Sequence, residues 1–108
     1  NRQGNTKIVK SDEYFKILGA SFADLDSRDK RRLGIEGGVK IIGLKDGALK
    51  KKGVRDDFII THVQGNRIEN VDDFKDALRK EGVGAEIEIN GIYPGLRYIY
   101  VYIIELKE

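Results

Sequence analysis

The chain has 108 residues and a formal net charge of +2, which makes it one ordinary domain, too short for a protease or dehydrogenase fold plus a second module. Hydrophobic residues make up 40% and charged residues 35%, enough for one compact core under a charged surface and a poor match to disorder. Cysteine is absent and His62 is the only histidine, which excludes disulfide frameworks, thiolate zinc sites and cysteine nucleophiles.

With 20 basic against 18 acidic residues, the balance gives no general electrostatic case for nucleic acid or an anionic membrane. No run approaches the roughly 20 apolar residues of a membrane span. The chain begins at Asn1 and contains no methionine, so it reads as an excised piece of a larger protein.

Residues 1–10 are polar, and the short Lys7-Ile8-Val9 run reads as a linker tail or an edge strand. Ser11, followed by Asp12 and Glu13, caps a short predicted helix that runs to about Leu18 and ends at Gly19. Ala20 to Leu25 reads as a strand with Phe22 as its apolar anchor. The charge run from Asp26 to Gly34 has only Leu33 to turn inward, which predicts a solvated helical turn. Gly37 and Gly38 open Val39 to Leu44, a near-continuous apolar run expected of a buried strand.

Asp46 is expected to cap a short helix over Gly47 to Lys52, with Gly53 past its end. Phe58 to Val63 is the strongest strand pattern, and Gly65-Asn66 predicts a hairpin turn that returns the chain through Arg67 and Ile68. Asn70 caps a helix over Val71 to Lys80, whose Val71, Phe74, Ala77 and Leu78 fall at helical spacing. Glu86 and Glu88 alternate with Ile87 and Ile89 in a half-buried strand. Last, Tyr98, Tyr100 and Tyr102 alternate with Ile99, Val101 and Ile103. The whole reads as mainly β with two helices, an α+β domain built on a partly open barrel or sandwich of five to six strands.

The order of these elements resembles a PDZ domain with the strand order of HtrA-type (Do-type) serine proteases, most closely their second, C-terminal PDZ. The resemblance covers roughly residues 16 to 104. It is carried by Gly47-Ala48-Leu49 through Gly53-Val54 and then Asp57-Phe58-Ile59-Ile60-Thr61-His62-Val63-Gln64-Gly65, which looks like the family's short helix followed by Gly-Asp-x-Ile-x-x-Val-Asn-Gly. Gly47, Asp56 and Gln64 stand where the family usually has Pro, Gly and Asn. The resemblance places residues 1–15 as a linker or edge segment from a preceding domain and residues 16–108 as the PDZ domain.

In such a domain an extended peptide adds a strand to an exposed sheet edge, and a turn of backbone N–H groups receives its terminal carboxylate. The resemblance puts the carboxylate loop at Leu18, Gly19 and Ala20, and the receiving strand edge at Ser21 and Phe22. It puts the helical wall of the groove at Val71, Lys75 and Leu78. Ala20 is smaller than the family's usual hydrophobe. Val71 implies an apolar ligand residue opposite it, Lys75 an acidic one, and Leu78 the pocket for the final side chain. Read without the resemblance, Gly19 is a helix C-cap, Phe74 is a core position, Val71 and Leu78 stand evenly between core and groove, and His62 is a structural or exposed histidine.

The implied function is a non-catalytic module of a periplasmic or cell-envelope protease. It would bind apolar C-termini or extended segments of unfolded substrates, next to upstream protease and PDZ domains, with no catalytic residue, metal or cofactor of its own. The alternative is a module for subunit assembly or gating, with the tyrosine face of Tyr98, Tyr100 and Tyr102 docking a neighbouring domain or subunit.

Overall fold

A computed structural model of the protein describes residues 14–107. The Lys7-Ile8-Val9 strand, the Ser11 cap and most of the linker assigned to residues 1–15 lie outside that range.

Each helix begins where a short polar side chain can serve its first N–H groups. Asp26 accepts from Asp29 N at 2.8 Å and starts α1 (Ser27–Leu33), which Gly34 closes in the left-handed region. Asn70 accepts from Asp73 N at 2.8 Å and starts α3 (Val71–Glu81). Asp72 and Asp73 lie in the first turn of α3, and Arg79 and Lys80 in its last, so charge and helix dipole agree at both ends. A four-residue helix α2 (Ala48–Lys51) follows Gly47 and has no side-chain cap. Asp46, expected to cap it, reaches along the surface to Lys50 at 3.4 Å. Residues 14–18 form a further helical segment.

Six antiparallel strands make one sheet: β1 (Ala20–Asp24), β2 (Val39–Leu44), β3 (Ile59–Val63), β4 (Asn66–Arg67), β5 (Glu86–Ile92) and β6 (Tyr100–Glu105). The path runs β1-β2-β3-β5-β6, with β4 paired to β3 as a hairpin return. The hairpin turn is Gln64-Gly65, both at positive φ (54° and 78°), and so one residue earlier than the expected Gly65-Asn66. Positive φ at both central positions suits the right-handed twist of the flanking strands.

The protein is therefore a small α+β domain, but two expectations are corrected. The sheet is open, with β1 and β6 at opposite ends of its path. The described residues hold four helical segments, residues 14–18, α1, α2 and α3, against the two of the expected fold; the charged run 27–33, expected as a helical turn, is a helix with its own cap and ion pairs. Asp29 of α1 contacts Lys40 of β2 at 3.1 Å and Arg32 at 3.3 Å, and the Lys40 contact holds the Asp29 carboxyl below the usual carboxylate range. No described helix is long and apolar enough to cross a membrane.

The core joins Leu18, Leu49, Phe74 and Leu78 from the helical segments and loops to Val39, Ile60, Ile87, Ile89 and Ile104 from the strands. A second aromatic group continues it towards β6. Phe58 lies against Tyr93 (ring centroids 4.9 Å) and edge-on to Tyr102 (5.2 Å), and Tyr93 meets Tyr100 at 4.9 Å. The hydroxyls of Tyr93 and Tyr102 stand 2.8 Å apart. Arg55 donates its backbone N–H to Tyr93 Oη and lies 4.6 Å from that ring's centroid. Burial, and then the bond with Tyr93, pushes the Tyr102 phenol up to about 12.

Candidate functional site

Among the described residues β1 pairs only with β2, so its outer edge leaves backbone groups open to an added strand. The facing wall is α3. Between them stand three of the chain's four phenylalanines. Phe22 of β1 meets Phe74 of α3 edge to face at 4.9 Å, and Phe15, from the helical residues 14–18, lies 4.7 Å from Phe22 and 6.0 Å from Phe74. Such aromatic contacts add about 0.5–1.5 kcal/mol each beyond the area they bury. Lys75 reaches over the Phe15 ring, its Nζ 5.8 Å from the ring centre.

At the other end, Asp24 Oδ1 accepts a hydrogen bond from Val71 N at 2.8 Å. This joins the last residue of β1 to the first turn of α3, where an anion also complements the helix dipole. Asp24→Ala is expected to cost about 1 kcal/mol, read as a lower urea midpoint with an unchanged m-value. An unchanged midpoint would show that water replaces the bond at no cost.

Leu18 is fully buried, Gly19 turns the chain at φ 78°, and Ala20 enters β1 opposite Leu44. Gly19 is required twice over. Its φ disfavours any side chain, and a Cβ there would stand 2.6 Å from Asp46 O and 2.8 Å from Gly47 Cα. The Gly19 N–H is donated to Phe15 O at 2.9 Å, and Gly19 O accepts from Lys45 N at 2.7 Å. Gly19 thus acts as the C-cap of the helical residues 14–18, and one of the three N–H groups assigned to a carboxylate cradle is already engaged.

Ser21 is exposed and Phe22 half-buried, and between them the pairing shifts by one extra residue on β2, Ile42. Val71 and Lys75 are half-buried on the side of α3 that meets β1. Leu78 is fully buried and belongs to the core, so it does not line the groove. A leucine two turns along an amphipathic helix is equally placed for either role, and packing beneath the sheet decides it.

Sequence reasoning missed Phe15. Its signal was its place three residues before Leu18, one turn up the same short helix, but nothing local shows that the ring crosses to Phe74.

The tyrosine face is also corrected. Tyr100 and Tyr102 turn inward onto Tyr93 and Phe58, and Tyr98, 71% exposed, precedes the strand. The solvent face of β6 is the aliphatic one, with Val101 53% and Ile103 44% exposed, and Ile99, just before the strand, is 71% exposed.

His62 lies in a cavity of about 560 Å³ on the outer face of β3 and β5, beside Thr61, Arg67, Glu88 and Asn90. Its Nδ1 is 3.0 Å from Thr61 Oγ1, while Arg67 is tied to Glu36 and Asn90 Oδ1 is buried without a partner. No group of three potential metal ligands gathers among the described residues. No family model and no curated protein matches this sequence.

Proposed function

We propose that the chain is a PDZ module of an HtrA-type serine endoprotease of the periplasm or cell envelope. It is non-catalytic itself and binds apolar C-termini or extended segments of unfolded proteins along the edge of β1. The observation that carries this reading is the seat of Phe15: an apolar side chain of the chain itself occupies the space between β1 and α3. That space is where a ligand's apolar side chain would lie if its backbone paired with β1. Support also comes from the open edge of β1 and from Gly19, whose conformation holds the loop before that edge.

The test is calorimetric titration of the chain and of Phe15→Ala with a short peptide ending in apolar residues, its C-terminus free or amidated. The free-carboxylate peptide is expected to bind Phe15→Ala at about micromolar affinity and the unsubstituted chain about tenfold more weakly, because removing the ring vacates the seat. Absence of binding to either folded protein would refute peptide capture. Equal binding of the amidated peptide would remove the carboxylate loop from the mechanism.

A further inference from the structure

The two ends of the sheet are protected unequally. The β1 edge has the helix α3 beside it, tied to Asp24 and packed on Phe22, which limits edge-to-edge pairing with a second sheet while leaving the strand's own backbone groups open. Among the described residues, the β6 edge has a helix beside it only near its Glu105 end, where α2 lies. The β6 sequence Tyr-Val-Tyr-Ile-Ile-Glu contains no proline, no glycine and one charge, and its pairing with β5 runs without a shift of register.

The direction of its backbone groups follows from the hydrogen bonds at its end. Leu106 donates to Ala85 O and accepts from Gly84 N, so the even-numbered residues face β5. Because antiparallel strands alternate, Ile99, Val101, Ile103 and Glu105 direct their N–H and C=O groups outward. The same residues carry the exposed aliphatic stripe.

Around Val101 the stretch Arg97-Tyr98-Ile99-Tyr100-Val101-Tyr102-Ile103-Ile104-Glu105 is close to self-complementary. We infer that two copies of the chain join edge to edge through β6, antiparallel about a two-fold axis at Val101, with Ile99 opposite Ile103 and Arg97 opposite Glu105 of the second copy. In this register the odd-numbered residues, whose backbone groups point outward, form the hydrogen-bonded pairs. The aliphatic residues meet their like across the axis, and each end carries an opposite-charge pair. Moving the register by two residues either way removes both charge pairs. Arg97 is exposed, and Glu105, half-exposed, has Lys107 Nζ at 3.6 Å as its other neighbour.

Residues 96–99 lie outside β6 and are exposed, so the pairing carries the strand back to Arg97. The interface is isologous and closes on itself, joining two five-strand paths into one sheet. It is independent of the groove beside β1.

Sedimentation velocity over a range of concentrations tests the inference. The chain is expected to show a monomer–dimer equilibrium. Val101→Lys sets two ammonium groups against each other on the axis and is expected to weaken dimerisation about tenfold or more. Val101 is exposed, so the variant keeps its fold, and circular dichroism checks this. Arg97→Glu alone creates two like-charge pairs and is expected to weaken the dimer about threefold to tenfold. Arg97→Glu combined with Glu105→Arg is expected to recover most of that loss. A chain that stays monomeric to about millimolar concentration, a dimer indifferent to Val101→Lys, or a double reversal that recovers nothing would each overturn the inference.

Discussion

Gly91→Ala is expected to destabilise the domain by about 3 kcal/mol or more, the upper range for overpacking a close-packed interior. Gly91 lies in β5 between Ile60 of β3 and Tyr100 of β6, and it is buried. A Cβ there would fall well inside contact distance of the Ile59 carbonyl oxygen and would stand 2.5 Å from Phe58 Cζ. Neither neighbour can retreat. The carbonyl belongs to the sheet, and the fully buried Phe58 ring is held by Tyr93 and Tyr102. Relief requires β3 and β5 to separate. Gly43→Ala in β2 is the control, because a Cβ there meets nothing within 4 Å. Urea unfolding should show a large drop in midpoint for the first and almost none for the second. Equal midpoints would mean that the β3–β5 contact is looser than described.

Phe58→Ala is expected to cost about 3–5 kcal/mol, the range for deleting a buried phenylalanine and leaving a cavity. The loss extends to the tyrosines, because the ring is the surface on which Tyr93 and Tyr102 align their hydroxyls. The two substitutions should not add. Removing Phe58 deletes one of the two obstacles to a Cβ at residue 91, so the double variant is expected to be more stable than the sum predicts. Residues in direct contact commonly couple by about 0.5–3 kcal/mol. Strict additivity in a double-mutant cycle would separate the two sites.

What could be read from the sequence divides along a physical line. Elements marked by their own ends were legible. Asn70, the paired aspartates, Arg79, Lys80 and Gly82 bound α3 almost to the residue, and the Val39 and Phe58 runs mark β2 and β3. Asp46 failed as a cap because an aspartate before a helix is as well served by a lysine four residues on. The alternation in β6 was visible, but period two defines two faces without saying which is inward. Tyrosine fits either, since its ring packs and its hydroxyl finds a partner. At the candidate site, Gly19 was legible as a constrained turn. The place of Phe15 was not, because its neighbours Phe22 and Phe74 are distant in sequence.

The hydrogen bond from Val71 N to Asp24 gives the β1–α3 cleft the mechanics of a clothes peg. The strand and the helix are fastened at the Asp24 end and packed together at Phe22 and Phe74, so an opening of the cleft would turn about that end. Displacement is greatest at the opposite end, where Phe15 sits. Under the proposed reading, a peptide entering at that end would displace Phe15 first, so bulk near its leading residue would be accommodated, while bulk further along would work against the fastened end.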